Sequence, residues 1–277
     1  MTRLKYYLIP ILNAKRLLIV SFLLAFALFM LSAYTIIFVK SFAKLWGPDW
    51  LPETWGLQAF EMARRIANIP KILTNSLVIA AIAVLISTLI GIPTGWALGR
   101  RGIPGKVVLL SIFLLPRLIP PISYALGIAK IFYTINLIDT HLGVALAHVA
   151  ICAPFSILIL STTFEGLDER LLEAARVCGA NAVKTFFYVI LPLILPGILS
   201  SMIFTFATSY SEFTLTLMTY GPHTMTLPVQ AYLSIGDGFL DVASAISVIL
   251  FIPSLFILLV LQRFLRPERL IGGFKGA

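Results

Sequence analysis

Apolar residues run through this chain in blocks of about twenty, and the charges collect between the blocks. A bilayer span needs about 20 mostly apolar residues. Windows of that length fall at approximately Leu17–Val39, Leu77–Leu98, Val107–Leu126, Leu142–Thr162, Ile190–Phe213 and Ala243–Phe264. Pro116, Arg117, Pro120 and Pro121 interrupt the third. The first is too long for the apolar region of a signal peptide, and no small-residue cleavage pattern follows it, so it counts as a span. The pattern predicts an all-α membrane protein with six transmembrane helices. Between the first two spans, Leu57, Phe60, Ile66 and Ile69 recur near helical spacing, with Arg64 and Arg65 off that face. This predicts an interfacial helix over Leu57–Ile69 lying against the bundle. Trp46, Trp50 and Trp55 follow span one, where an aromatic belt sits.

Composition narrows the class. The 277 residues are 59% hydrophobic and 12% charged, with a mean hydropathy of +0.98. A soluble globular chain carries about 25% charged residues, so too few polar groups remain to cover a soluble domain. A disordered chain would show the reverse composition. The two cysteines, Cys152 and Cys178, exclude a disulfide scaffold and a Cys-based zinc site. The net charge of +9 would suggest nucleic acid in a soluble protein, but here the cations are spent on topology. Fourteen of them flank one set of loops: Arg3, Lys5, Lys15 and Arg16; Arg100, Arg101 and Lys106; Arg170, Arg176 and Lys184; Arg263, Arg266, Arg269 and Lys275. Six lie on the other side, Lys40, Lys44, Arg64, Arg65, Lys71 and Lys130, and Arg117 falls inside a span. The positive-inside rule then places both termini in the cytoplasm, and no nucleic-acid partner is expected.

Catalytic chemistry is missing from the sequence. Gly99 to Lys106 has the wrong spacing for a phosphate-binding loop, and Val107 stands where Ser or Thr is required. No zinc-protease, serine-hydrolase or Cys/His metal motif occurs, so no catalytic and no metal-ligating residue is expected. His148 lies within span four and is expected to hydrogen-bond a neighbouring helix. His141 and His223 are expected to be solvated in outer loops. Gly91, Gly95 and Gly99 recur every four residues, a signal for close helix packing.

One cytoplasmic loop stands apart. Seven of the 33 charged residues fall within 164–189. Asp168 can cap a helix whose first turn holds Glu169. Leu171, Leu172, Ala175 and Cys178 give that helix an apolar face, and Gly179 can end it in a left-handed turn. A second helix over Val183–Val189 runs into Pro192. Taken alone, the residues allow either a solvated loop or a docking element for another protein.

Glu173-Ala174-Ala175, three residues, Gly179, nine residues and Val189-Ile190-Leu191-Pro192 together resemble the EAA motif. That motif belongs to permease subunits of binding-protein-dependent ABC importers, and Val189 stands where the family has Ile. The resemblance extends to Asn75-Ser76, Arg101–Lys106, Leu137–Thr140 with Leu142-Gly143, Ser211–Phe213 and Thr226–Val229. It implies a type I importer permease core over about 70–265, preceded by an N-terminal span over 17–39. It also implies a coupling loop over 164–189 and a cytoplasmic tail over 266–277. Glu173, Ala174, Ala175, Gly179, Leu191 and Pro192 would then meet the ATPase. The implied partners are cytoplasmic ABC ATPase subunits, a second permease (sister or identical copy), a solute-binding protein outside the membrane and the lipid bilayer. ATP and Mg would be bound by the ATPase, with no cofactor on this chain and no enzymatic activity of its own. The implied location is a bacterial or archaeal plasma (inner) membrane.

Ionisable residues within spans are costly and face the bundle interior as a rule. Arg117 and Glu212 stand out, the latter beside Ser209, Tyr210 and Ser211. Two readings stand for them: lining of a solute path, or a structural role in which they pair with each other or snorkel toward an interface. The first loop, Ser211–Phe213 and Thr226–Pro228 resemble permeases for polyamines, phosphonates, iron or thiamine. Leu270–Gly276 resembles the tail of carbohydrate permeases. A polyamine or a sugar is the expected solute. An ion-coupled secondary transporter using Glu212, or a membrane assembly protein without a path, are the rival readings.

Overall fold

Lipid offers no partner to a backbone N–H or C=O, so a chain this apolar must close its hydrogen bonds within helices. The computed structural model describes the backbone of residues 2–264 and the side chains of 16–257 and 259. The tail proposed over 266–277 and the side chains of Arg3, Lys5, Lys15, Arg263, Arg266, Arg269 and Lys275 lie outside the described residues. Among the described residues, five helices are long and apolar enough to cross a membrane, and a bent helix pair supplies a sixth crossing if counted as one.

One unit comprises residues up to Ile66 together with Ser234–Val248. It begins with α1 (Thr2–Phe42), whose residues 16–38 are exposed all round. A helix apolar on every face suits lipid or another membrane helix. Strands β1 (Ala43–Leu45) and β2 (Thr54–Trp55) then pair antiparallel, an element the sequence did not announce. Helix α2 (Gln58–Ile66) follows and buries Ala59 and Ala63. This corrects the expected face: Leu57 and Ile66 are exposed, and Ile69 opens the next helix. Small alanines let α2 approach closely, while the Phe60 ring meets Phe42 in a tilted pair with centroids 5.0 Å apart. Trp50 and Trp55 are exposed.

The second unit comprises Ala67–Leu233 with the residues from Ile249 onward. Its centre is the pairing of α3 (Ile69–Arg100) with α6 (His141–Glu165), joined by α9 (Leu191–Tyr210). The glycine row of α3 explains the closeness. A Cβ on Gly95 would stand 2.8 Å from the Leu160 Cβ and 2.9 Å from the Ser161 backbone nitrogen. Gly91 meets Ser156 and Gly99 meets the Ser161 carbonyl along the same seam.

The third expected span is corrected. Val107–Leu126 is not one helix but α4 (Lys106–Leu118) and α5 (Pro121–Thr134), bent by 91°. The cause is Pro120-Pro121: a residue before proline is driven out of the helical region, and Ile119 is extended at φ −88°, ψ 137°. Pro121 then opens α5, where its missing N–H costs nothing.

After α6 come α7 (Glu169–Val177) and α8 (Ala182–Thr185). The chain then continues without interruption into α9 through a widened π turn at Phe186–Ile190. Pro192 explains the widening. Proline has no N–H and its ring clashes with the carbonyl four residues earlier; the π turn absorbs this, with the Leu191 N–H bonding the Phe186 carbonyl. The expected helix over Val183–Val189 is therefore the first part of span five. Short helix α10 (Thr214–Thr219), then α11 (Leu227–Gly236) and α12 (Leu240–Phe264), complete the described chain.

The α3–α6 seam predicts a specific sensitivity. Gly95→Ala is expected to lower the stability of the purified protein by about 1–3 kcal/mol, because backbone as well as side chain must move. Gly127→Ala, where nothing lies within 4 Å of the added methyl, is expected to leave it unchanged or slightly raised. Thermal unfolding of the two variants in the same detergent checks the difference.

Candidate functional site

At one end of the second unit, the segment after α6 forms a tight helix–turn–helix. Asp168 caps α7 by accepting from the Arg170 N–H at 2.9 Å, as the sequence suggested. The helix closes on a Schellman turn. The Ala180 N–H reaches the Ala175 carbonyl at 3.0 Å and the Gly179 N–H reaches the Arg176 carbonyl at 2.9 Å. Gly179 sits at φ +79°, a conformation an L side chain rarely adopts. The four-residue step from Ala175 to Gly179 thus has a backbone reason. Asn181 then caps α8, accepting from the Lys184 N–H at 2.9 Å; the sequence reading missed this cap, although Asn before a helix is its ordinary signal.

One side chain of α7 is buried and most of the others are exposed. Leu172 is buried in an apolar cluster with Leu160 and Phe164 of α6 and Ile190, Ile194 and Ile198 of the span-five helix, and Leu191 packs on its edge. Glu173, Ala174 and Val177 are exposed, Val177 at 88%. Leu171 and Cys178, expected on the apolar face, are exposed too, because one buried leucine suffices to seat so short a helix. Pro192 is exposed at the start of α9. Arg100, which the sequence reading used only for topology, holds the base of the loop. Its guanidinium donates to the Leu167 carbonyl at 2.8 Å and pairs with Glu169 at 3.2 Å. Lys106 pairs with Glu165 at 2.6 Å.

Deeper in the bundle, polar side chains join the helices. His148 of α6 is hydrogen-bonded through both ring nitrogens, to Ser209 of α9 and to Thr216 of α10, each at 2.8 Å. Ser201 of α9 donates to Ser156 of α6. Ser209 and Tyr210 are buried and Ser211 is exposed. Glu212 is half-buried, and its carboxylate accepts from the Leu215 N–H at 2.9 Å, closing the first turn of α10. Arg117 is exposed, with its guanidinium carbon 4.6 Å from the Phe155 ring centre, a cation–π distance. Arg117 and Glu212 form no ion pair.

At the opposite end, a latch gathers residues the sequence keeps far apart. The Asn75 amide of α3 donates to the carbonyls of His223 and Met225 at 2.8 and 3.0 Å. Its oxygen meets the His141 ring at 2.9 Å. Asp139, at φ +58°, receives the His223 and Thr224 N–H groups, the Thr224 hydroxyl and the His223 ring. The expectation of two solvated histidines is thereby corrected: His141 is partly buried, and His223 is exposed yet bound. Burial works against ionisation of Asp139, but the hydrogen bonds and the charge of His223 outweigh it and hold the carboxyl below the usual carboxylate range. No group of three or more potential metal ligands occurs among the described residues.

Residues 91–270 match the family described as the binding-protein-dependent transport system inner membrane component, and the chain belongs to that family. It is 35% identical over 192 residues to the molybdate/tungstate transport system permease protein of Pyrococcus abyssi, covering 69% of this chain and 76% of the relative. It is 26% identical over 194 residues to the spermidine/putrescine transport system permease protein of Haemophilus influenzae, covering 70% and 76%. Among solved structures, a chain of a bacterial ABC transporter involved in import of the acidic polysaccharide alginate superposes with a TM-score of 0.68 at 20% identity. The match covers 91% of this chain and 97% of that one. The protein is thus a multi-pass membrane permease subunit of a binding-protein-dependent ABC importer, and not an enzyme; ATP hydrolysis in such a transporter resides in a partner. Membership displaces the readings as an ion-coupled transporter or an assembly protein.

The latch carries its own prediction. A depressed folded-state value means that the contribution of Asp139 is complete above its unfolded value of about 3.9 and is lost as pH falls through the folded one. Amide exchange at His223 and Thr224, corrected for intrinsic rate, is expected to stay constant from about pH 7 to 5 and to accelerate only below about pH 4. Asp139→Asn is expected to accelerate it about tenfold at neutral pH.

Proposed function

We propose that this chain forms one half of the solute path of an ATP-driven importer, and that the turn around Gly179 carries motion from a cytoplasmic ATPase into the helices. The observation that carries the reading is the two-sided α7. Leu172 is fastened into the cluster shared by α6 and the span-five helix, while Glu173, Ala174 and Val177 face outward, free for a partner. A push on that outer face reaches α9 through buried side chains and an unbroken helix. Glu173 supplies a charge for the ATPase surface, Ala174 and Ala175 allow close approach, and Gly179 makes the turn. Leu191 and Pro192 sit where loop becomes span.

The partners in this reading are cytoplasmic ABC ATPase subunits holding ATP and Mg, a second permease and an external binding protein. Both termini lie in the cytoplasm. Closure of the ATPase dimer draws the two coupling loops together, and the helices rock between inward-open and outward-open states. The Asp139–His223 latch then lies on the outer face, where the binding protein docks.

For the solute, a small oxyanion such as molybdate or tungstate is preferred over the polyamine or sugar expected from sequence. The archaeal molybdate/tungstate permease is the more similar of the two relatives described. The carboxylate of Glu212 is engaged by a backbone N–H, whereas Arg117 meets an aromatic ring and feels Glu212 electrostatically without an ion pair. A cation at a span with no direct carboxylate partner favours an anion.

The test is reconstitution of the assembled importer. Molybdate-loaded binding protein is expected to stimulate ATP hydrolysis and uptake. Gly179→Leu is expected to abolish that stimulation while leaving membrane insertion intact. Normal stimulated hydrolysis in the variant contradicts the coupling assignment, and stimulation by spermidine-loaded but not molybdate-loaded binding protein contradicts the solute assignment.

A further inference from the structure

A cavity of about 570 Å³ lies beneath α7, between the last turns of α3, the end of α6 and the start of span five. Its wall is apolar over Ile92, Trp96, Phe186 and Ile190, and its charged lining residues are Arg101 and Arg176, with no carboxylate. Two nearby cations already have partners, whereas the two that line the cavity do not. Arg100 is taken by Leu167 and Glu169, and Lys106 by Glu165. Neither Arg101 nor Arg176 has a side-chain hydrogen bond or an ion pair among the described residues. Arg176 stands one helical turn after buried Leu172 and lines the cavity, its side chain reaching solvent as that of Arg101 does.

The chemistry of the cavity is graded with depth. Arg101 marks the end of α3, and Ile92 lies about 13 Å further into the span at 1.5 Å per residue. A pair of cations at the level of the helix ends, above an apolar slot running into the bilayer, is complementary to an amphiphile with an anionic head. A free oxyanion would meet the cations but leave the slot empty. A fatty tail alone would leave the cations unpaired. The size falls in the range of small-molecule sites, about 300–1,000 Å³.

We infer that this cavity holds the headgroup and upper acyl chain of an anionic phospholipid of the cytoplasmic leaflet, gripped by Arg101 and Arg176. The inference rests on the cytoplasmic placement of α7 proposed above. The cavity shares Leu172 and Arg176 with α7, so an occupied cavity fixes that helix against α3 and span five, and an empty one leaves it less restrained. Bilayer composition thereby sets how firmly the coupling element is held.

The test uses the assembled importer, purified in mild detergent and examined by native mass spectrometry. Bound phosphatidylglycerol is expected on wild type, and each of Arg101→Gln and Arg176→Gln is expected to lower its retention about fivefold. The Arg101→Lys/Arg176→Lys pair is expected to retain it. Phosphatidylglycerol added to delipidated wild type is expected to raise the thermal midpoint where phosphatidylcholine does not, a readout independent of any variant. Equal retention after neutralisation, or equal effects of the two lipids, overturns the inference. Stabilisation by inorganic phosphate alone, with the same arginine dependence, assigns the cavity to a free anion and overturns the lipid. Retention by the isolated permease but not by the complex assigns it to the ATPase interface and does the same. Failure of the coupling reading is read separately, from stimulated hydrolysis in Gly179→Leu.

Discussion

Everything in the second unit hangs on how closely α3 can approach α6. Three glycines at four-residue spacing remove the side chains that would hold the helices apart, and backbone meets backbone around Leu160 and Ser161. In lipid there is no hydrophobic gain from bringing two apolar helices together, so close van der Waals packing supplies the association. The consequence appears at both ends of the seam. At one end Arg100 and Glu165 arrive where they can hold the base of the α7 loop. At the other, Asn75 of α3 arrives beside His141 of α6 and gathers the chain around His223.

What seats α7 is apolar packing rather than charge. Ion pairs with one partner well exposed, such as Arg100–Glu169, contribute about 0–1 kcal/mol, whereas burial of a leucine contributes roughly 1.5–3 kcal/mol. Leu172 is therefore the anchor, and the ion pairs tie the base of the loop to α3 and α4. The π turn at Phe186–Ile190 keeps helix running past Pro192, which would otherwise break the lever between loop and span. A short anchored helix on an unbroken lever is a mechanically direct arrangement for passing a displacement into a membrane bundle.

Much of this was legible in the sequence where one residue dictates one local outcome. Asp168 and Gly179 marked the ends of α7 because caps and left-handed turns accept few residue types. Spans one, two, four, five and six were legible because the bilayer enforces length and apolarity. The prolines of span three gave warning but not the 91° break, since a proline excludes one conformation without selecting the alternative. The face of α2 was misjudged because hydrophobicity ranks Leu57 and Ile66 above Ala59 and Ala63, while the packing rewards small size. The latch was invisible: Asn75 and His223 are 148 residues apart, and their spacing in sequence carries no sign of contact. The cavity under α7 was hidden for the same reason, as Arg101 and Arg176 share no local pattern.

The central claim is that the turn beside Gly179 faces an ATP-hydrolysing partner in the cytoplasm. Cys178 is exposed next to that glycine and Cys152 is buried, so a thiol reagent addresses the turn in the native chain. The most direct measurement is thiol-directed crosslinking of Cys178 in sealed membranes holding the assembled importer, beside labelling by a membrane-impermeant reagent from outside. The expected result is a crosslink to the ATPase subunit, with yield changing on addition of ATP, and no labelling from outside. Labelling of Cys178 from outside, or an assembled complex with no such crosslink, would contradict it.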